Sequence, residues 1–574
     1  MRRSGAAAST PAAPLAYNHR MATEILHHST CCLCEALCGL NITTSGDRVV
    51  SIRGNPDDPL SRGHICPKAT ALQDLHEDPD RLRGPMKRVG HQWQAISWPE
   101  ALDLAAERIG AVQREHGRHS VAMYLGNPVA HKYSALLGAQ LLGDALHTRN
   151  RYSASTVDQA PHMFAAWQMF GHPLAMPVPD IDRTMHLVVL GANPVVSNGS
   201  LMTAPDMKRR LKELRERSGR LVVIDPRRSE TAEVADAFHF VRPGTDALLL
   251  LAWLQVLFDE GLARTEGLEG ADALAQAVAP WTPERVAATT GIAPSVLRAL
   301  VREHAAADRA VLYGRLGVST TEFGGLGSWL VYAVSALTGN LDREGGLMWS
   351  APAVDLVELT RLVGPTGSWG RWRTRATDLP ELNGELPAAA MADEMLEPGE
   401  GQIRALITVA GNPVLSTPNG KKLAGAIDGL DFYVAIDPWI TATSSKADLV
   451  LPPLSHLETD HFGLAFHGLS VRNTVKYGRP VFPRPAGALD DWDILTGLAA
   501  RLARTSEHKA ARRDRITVAA ARKLGSRGLL DLALRTGRHG IARRPFGPRL
   551  SLRTLERNPS GLDLGPLEPA GAAR

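Results

Sequence analysis

All five cysteines of this 574-residue chain fall between positions 31 and 66. They run Cys31-x2-Cys34-x3-Cys38, then 27 residues, then Cys66-Pro67, with Cys32 inside the first gap. A disulfide framework spreads its staples across a fold, so this crowding points to ligands of one centre. Three thiols in one tight loop and a fourth on a returning segment suit a cubane [4Fe–4S] cluster, because a compact loop can hold three corners. A four-cysteine zinc site is the alternative, although such sites usually present two separated pairs. Cys31, Cys34, Cys38 and Cys66 are therefore the candidate ligands and Cys32 a buried bystander. Lys68, two residues beyond the last ligand, is placed for an electrostatic or electron-path role, against the ordinary fate of a solvated lysine.

Beyond Cys66 the sequence alternates short apolar strands with amphipathic helices, the pattern of α/β layers. One grammar recurs. Leu187-Val-Val-Leu-Gly191-Ala-Asn193-Pro194 reads as a strand ending in a tight turn, answered by a second strand, Leu221-Val-Val-Ile-Asp225-Pro226-Arg227. Leu406-Ile-Thr-Val-Ala-Gly411-Asn412-Pro413 repeats it, answered by Phe432-Tyr-Val-Ala-Ile-Asp437-Pro438. In a parallel sheet the C-terminal strand ends face the ligand crevice, with a Gly-rich turn near phosphates and an acidic residue on the next strand. Two such units imply two nucleotide-like moieties. Tyr124-Leu-Gly126-Asn127-Pro128 is a third, unpaired turn.

Arg242-Pro243-Gly244-Thr245-Asp246 opens the apolar helix 247–258, with Thr245 or Asp246 available as its cap and Arg242 and Gly244 able to face an anion. Gly314-Arg315-Leu-Gly317, Thr338-Gly-Asn-Leu-Asp342 and Gly345-Gly346 read as loop punctuation around a core helix.

Charge and hydropathy set limits. The formal net charge is +4, yet residues 501–574 carry 17 Lys+Arg against 6 Asp+Glu. Such a tail fits an acidic partner, and without interleaved aromatics it does not read as a nucleic-acid surface. No run reaches the roughly 18 apolar residues of a membrane span. The longest, Ala247 to Phe258, is short and contains Gln255. Arg2-Arg3 is followed by Ala/Pro-rich sequence rather than the apolar stretch of an export signal. The expectation is a cytoplasmic protein with a disordered leader at its N-terminus.

Taken in order, the four-cysteine box with Cys66-Pro-Lys68, Gly191-Ala-Asn-Pro, Asp225-Pro-Arg227, Arg242-Pro-Gly-Thr-Asp246, Thr338-Gly-Asn-Leu-Asp342, Gly411-Asn-Pro and Ala447-Asp-Leu-Val-Leu-Pro-Pro453 make the chain familiar. From about residue 24 to about residue 500 it resembles the molybdopterin oxidoreductases of the dimethyl-sulfoxide-reductase superfamily, which include formate dehydrogenases and nitrate reductases. The resemblance implies a bis(molybdopterin guanine dinucleotide) cofactor carrying Mo or W, served by a [4Fe–4S] cluster. It places Lys68 between the cluster and one pterin. Asn193, Asp225, Asn412 and Asp437, with Gly411, would serve the cofactor, and Arg242, Gly244 and Asp246 would lie near its phosphates or guanine. Aligning on Arg151 puts Ser153 in the slot of the metal's protein ligand, with Ser155 and Asp158 as alternatives. His131, His162 and Asp158 are possible acid/base groups nearby.

The resemblance also implies a fold: α/β and multidomain, with a small [4Fe–4S] domain (24–85) after a leader (1–23), and two doubly wound α/β domains carrying pseudo-related dinucleotide-binding units. One comprises 86–150 with 351–480, the other 151–350, and 481–574 would be a helical, basic segment. The implied activity is two-electron redox or oxygen-atom transfer on a small substrate, with a protein such as a ferredoxin or a reductase subunit as electron partner. A catalytically silent iron-sulfur subunit and a non-redox tungsten-pterin hydratase are the alternatives. Two departures count against formate. Ala154 rather than His follows Ser153, and Gly346-Leu-Met-Trp-Ser-Ala-Pro-Ala353 stands where formate dehydrogenases carry Arg-Gly-Gln-Asn. Family members also continue into a β-barrel-like C-terminal domain, for which this sequence offers no counterpart; a truncated product or a partner chain would account for that.

Overall fold

The computed structural model describes residues 23–364, 366–540 and 549–571, so most of the expected leader lies outside it. A three-stranded antiparallel sheet of Glu24–Thr30, Gly39–Ser45 and Arg48–Gly54 opens the chain. The link between its first two strands carries Cys31, Cys34 and Cys38. Cys66 stands just before the helix Pro67–Thr70, whose proline occupies a position where a missing N–H costs nothing.

The larger of two α/β units is a seven-stranded sheet. Its order is Gln92–Ala95, Met86–Val89, Leu449–Val450, Phe432–Ile436, Ala405–Val409, Val121–Leu125, Arg151–Ser153. The last five are parallel and the first two form an antiparallel edge hairpin. Phe432–Ile436 and Ala405–Val409 are buried along their whole length. Parallel strands covered on both faces read as continuous apolar runs. One face packs on Trp98–His116, Tyr133–Leu146 and Asp491–Thr505, the other on Met391–Leu396 and Gly420–Ile427.

The second unit is a four-stranded parallel sheet, ordered Ala237–His239, Arg220–Ile224, His186–Leu190, Ala310–Gly314. Asp246–Asp259, Pro294–Ala306 and Gly324–Leu337 cover one face, while Ala160–Phe170 and Met207–Glu216 cover the other.

Two boundaries differ from the sequence expectation. Strand Arg151–Ser153 belongs to the seven-stranded sheet, because it pairs with Val121–Leu125. The segment from 481 is not a separate appendage. Ile494, Leu495, Leu498 and Leu502 lie on one face of their helix and complete the layer over the larger sheet, and Leu562–Gly565 pairs with Asn473–Val475. Helix Ala511–Thr536 kinks at Gly525, whose φ is +71°. Among the described residues no helix is long and apolar enough to cross a membrane.

Candidate functional site

The cysteine loop is closed by its own backbone, Cys31 N–H donating to the Cys38 carbonyl at 2.8 Å. Leu37 turns the chain at φ +50°. Burial pushes the Cys31 thiol up to about 11 and raises Cys34 and Cys38 as well. The charges of neighbouring thiols add to this: Cys34 and Cys66 act on Cys31, and Cys31, Cys34 and Cys66 act on Cys38. Burial thus disfavours the thiolate forms of Cys31, Cys34 and Cys38, a cost that a bound cation would offset. Cys32 is buried beside Cys31 and Cys34. A mononuclear zinc site needs four sulfurs roughly 3.8 Å apart. Among the described residues no group of three or more His, Cys, Asp or Glu could hold a metal ion.

Sequence reasoning missed the loop's main support. Lys476 Nζ donates to the Leu37 carbonyl at 2.8 Å and pairs with Asp58, both side chains being buried. Asp58 in turn accepts from Ser61 N–H at 2.6 Å and from Ser61 Oγ at 2.8 Å. Lys476 opposes the upward shift of Cys31 and Cys38, and exposed Lys68 does so at Cys34. Lys476 lies more than 400 positions from the loop, so no local spacing signals it.

The two strand–turn units match bond for bond. Gly191 N–H donates to the Ile224 carbonyl at 3.0 Å, and Ala410 N–H to that of Ile436 at 2.9 Å. Asn193 Oδ1 accepts from Thr231 N–H and Oγ1 at 3.2 and 2.8 Å, and Asn412 Oδ1 from Thr443 N–H and Oγ1 at 3.2 and 2.6 Å. Each threonine hydroxyl then accepts a backbone N–H at 3.1 Å, from Val195 and Val414 respectively. Asp225 accepts from Arg227 N–H at 2.8 Å and Asp437 from Trp439 N–H at 2.9 Å. Thr231 and Thr443 went unnoticed in the sequence because only the fold brings them back to the turns.

Each turn sits where strand order reverses, the position at which open α/β sheets bind ligands. At the first, a Cβ on Gly317 would lie 2.8 Å from Gly191 Cα; at the second, a Cβ on Gly126 would lie 1.9 Å from the Ala410 carbonyl. The third Gly-Asn-Pro turn therefore works as the close-packed partner of Gly411, whose own Cβ would meet the Tyr124 ring at 2.7 Å. A cavity of about 210 Å³ opens beside the second turn, lined by Ala410, Asp437, Trp439, Thr441, Lys132 and His456. Burial raises Asp437 to about 6.

Near the first turn, burial raises Asp246 to about 6, and the Asp225 charge pushes the same way. The capping expectation needs correction. Thr245 occupies the cap position but makes no side-chain cap bond, its hydroxyl donating instead to the Arg242 carbonyl at 2.7 Å. Gly244 turns at φ +80° in open space, and Arg242 is exposed with one guanidinium nitrogen on the Ala288 carbonyl.

Ser153 ends the outermost strand of the larger sheet, buried. Its Oγ donates to Glu385 Oε2 at 2.6 Å and accepts from Ser155 N–H at 3.1 Å. Burial raises the Glu385 carboxyl, and the Ser153 bond opposes that. Asp158 and His162 follow on the next two helices, His162 pressed down to about 3 by burial, so its ring is neutral. His131 stacks on Phe466 at 4.6 Å and is likewise held neutral by burial.

Residues 81–501 match the family model described as molybdopterin oxidoreductase, and residues 26–77 match the molybdopterin oxidoreductase Fe4S4 domain. The chain is 29% identical over 469 residues to the molybdopterin-containing subunit of thiosulfate reductase from Salmonella typhimurium, covering 75% of this chain and 58% of that subunit. It is 27% identical over 518 residues to a nitrate reductase of Symbiobacterium thermophilum, covering 83% of this chain and 66% of that protein. It is 24% identical over 489 residues to the alpha subunit of an F420-dependent formate dehydrogenase from Methanocaldococcus jannaschii, covering 83% and 70%. It thus spans less than two thirds of the length of the first two. In fold it is similar to acetylene hydratase from Pelobacter acetylenicus, with a TM-score of 0.70, 19% identity, and coverage of 86% of this chain and 72% of that one.

Proposed function

The chain belongs to the molybdopterin oxidoreductase family and carries the family's Fe4S4 domain, and on that footing we propose that it uses a bis(molybdopterin guanine dinucleotide) with Mo or W for redox chemistry on a small substrate. The observation that carries the reading is the duplicated Asn–Thr turn, present once at the reversal point of each sheet. One dinucleotide needs one such crevice, and this chain has two.

The residues fit the group. Glycine pairs bare the backbone where phosphates approach, and Asp225 and Asp437 offer carboxylate acceptors for the N–H edge of guanine. In this reading Asn193, Asp225, Arg242, Gly244 and Asp246 hold one half and Gly411, Asn412 and Asp437 the other. Cys31, Cys34, Cys38 and Cys66 hold a [4Fe–4S] cluster.

When bound, the cofactor supplies the two-electron exchange at its metal. Ser153 offers a hard oxygen donor of the kind a high-valent metal prefers, and Glu385 fixes its orientation. Lys68 keeps a positive charge beside Cys34 on the path between cluster and pterin. Electrons are exchanged with a separate protein, such as a ferredoxin or a reductase subunit, and the basic 501–574 segment suits an acidic one. Cytoplasmic residence suits a centre built on reduced thiols.

The deciding measurement is elemental and nucleotide analysis of anaerobically purified protein from a cofactor-competent host. The expected content is about four Fe, one Mo or W and two GMP per chain. Iron without Mo, W or GMP would overturn the reading and leave an electron-transfer subunit. With the cofactor in place, Ser153→Ala should lower dye-linked turnover by at least ~10²-fold, as removal of a directly acting group does. The same loss in Ser155→Ala or Asp158→Asn, with Ser153→Ala unaffected, would move the ligand assignment. Turnover without any change in the metal's oxidation state would indicate a hydratase.

A further inference from the structure

Arg118 stands at a corner of the larger unit where three stretches of chain meet: the link after Trp98–His116, the end of Tyr133–Leu146, and the link between Asp491–Thr505 and Ala511–Thr536. Its guanidinium lies between two imidazoles, with Nε 3.2 Å from His119 Nε2 and Nη1 3.1 Å from His508 Nε2. The other nitrogen of each ring is already taken. Arg149 N–H donates to His119 Nδ1 at 3.1 Å, and Ala510 N–H donates to His508 Nδ1 at 3.2 Å. Both rings are neutral: burial, with the Arg118 and Arg149 charges, presses His119 down to about 4, and burial with His147, Arg118 and Lys509 lowers His508. A neutral imidazole accepts at one nitrogen and bears hydrogen on the other. Because Nδ1 accepts, Nε2 carries the hydrogen in both rings. Four N–H groups, two of Arg118 and one of each histidine, therefore converge with no acceptor between them.

No carboxylate answers these donors. Arg118, Arg149 and Lys509 are exposed and form no ion pair among the described residues. The stretch 504–515 carries five Lys+Arg against Glu507 and Asp514. Asp514 is buried and turned to His147, 2.8 Å from its Nε2, while the His147 ring stacks on His508 at 3.8 Å. Exposed Glu507 makes no ion pair among the described residues. Trp372, the ring beside Arg149, is engaged by the guanidinium groups of Arg149 and Arg371 at 5.9 and 4.6 Å. The corner is thus a cationic surface with a surplus of donors, and what it lacks is an anionic acceptor.

We propose that Arg118, His119 and His508 form a docking site for an acidic protein segment, whose Asp and Glu carboxylates supply the missing acceptors, with Arg149 and Lys509 flanking it. A nucleic acid is the poorer occupant, because a single strand needs aromatic faces on which its bases stack and Trp372 is held by cations. The proposal names a contact surface for the acidic partner described above and rests on that reading only for the partner's redox role. It also separates contact from electron exchange. At one end of helix Tyr133–Leu146, the Tyr133 ring meets Phe462 edge to face, and neighbouring Gly463 lies against Leu37 of the cysteine loop. His147 follows the other end, and the 14 residues between span about 21 Å at 1.5 Å per residue. The docking site therefore holds the partner at a distance from the cysteines.

The test uses the purified full-length chain and a fluorescein-labelled poly-glutamate peptide, with binding read by fluorescence anisotropy. The wild type should bind the peptide, and less tightly as salt rises. Arg118→Gln should weaken binding roughly tenfold. His508→Phe keeps a ring on His147 but removes the N–H, and should weaken binding about threefold at neutral pH although no charge is lost. Lys212→Gln removes an exposed cation from helix Met207–Glu216 and should change nothing. Equal losses in Lys212→Gln and Arg118→Gln, or no loss in His508→Phe, overturn the proposal, because diffuse charge would then explain the attraction. So does tighter Arg118-dependent binding of single-stranded DNA or of phosphatidylserine vesicles. Surplus donors add nothing to the fold, so Arg118→Gln should leave the thermal midpoint in place, and a clear fall would make Arg118 a structural residue and overturn the proposal. Iron, Mo or W, GMP and dye-linked turnover should be alike in all variants. A wild type that lacks Mo, W and GMP yet binds the peptide sinks the redox reading and keeps the docking site; one that holds the cofactor and ignores the peptide does the reverse.

Discussion

Lys476 and Asp58, 418 positions apart, form an ion pair buried beneath the cysteine loop, and the same ammonium holds the Leu37 carbonyl beside Cys38. The loop's shape is thus set from outside the N-terminal domain.

Lys476→Met leaves Asp58 buried without its cation. Breaking a buried pair from one side costs about 3–5 kcal/mol. We expect a clear fall in the thermal midpoint and in iron retained after gel filtration. Asp58→Asn combined with Lys476→Met should recover most of both. Equal damage in the double variant would mean that Lys476 acts by packing alone.

Replacing Cys31, Cys34, Cys38 or Cys66 with Ser should each reduce bound iron severely, since a cubane needs all four corners. Cys32→Ser should leave iron content unchanged, at the modest stability cost of burying a hydroxyl. Absorbance near the cluster bands and iron assay read both.

Asp437 gives a pH-dependent prediction. Burial raises its native value to about 6, so the folded state binds this proton more tightly than the unfolded chain does. Stability from this group is present below about pH 4 and is lost as pH rises from about 4 to about 6. Asp437→Asn avoids the penalty. Its stability relative to wild type should grow over that interval to about 2–3 kcal/mol and stay flat above pH 7. Its GMP content should fall, the exchange of stability for binding that a ligand site makes. A constant difference across pH would show that the carboxyl titrates normally.

Ala410 holds φ at +49°, where its counterpart Gly191 has +57°. A side chain in that region costs about 1–2 kcal/mol. Ala410→Gly should therefore stabilise the protein by about 0.5–1 kcal/mol, the greater freedom of unfolded glycine offsetting part of the relief. Gly191→Ala should do the reverse, because its Cβ would also press on Gly317 at 3.0 Å. Thermal midpoints of the two variants moving in the same direction would contradict the equivalence of the turns.

How much of this was legible follows from how local each signal is. The four candidate ligand cysteines, the Asn193 and Asn412 turns and the Asp225 and Asp437 strand ends lie in short segments, and the strand–turn grammar repeats, so the α/β architecture and the two turns at the sheet reversal points were visible in order along the chain. Thr231, Thr443, Glu385 and Lys476 were not, because each reaches its partner only after a sheet has closed. Strand Arg151–Ser153 was drawn into the wrong unit for the same reason: three residues carry too little pattern to declare their neighbour.

The larger sheet is assembled from two stretches of chain separated by the whole of the smaller one. Val121–Leu125 and Arg151–Ser153 leave the ribosome early, but their central neighbour Ala405–Val409 follows about 250 residues later. At 5–20 residues per second that is a wait of roughly 13–50 s. During it the strand edge of Val121–Leu125 that Ala405–Val409 will cover is unpaired, while the four-stranded unit, local in sequence, can already close. The smaller unit can thus be complete before the larger one, whose Val121–Leu125 edge stays open until Ala405–Val409 arrives.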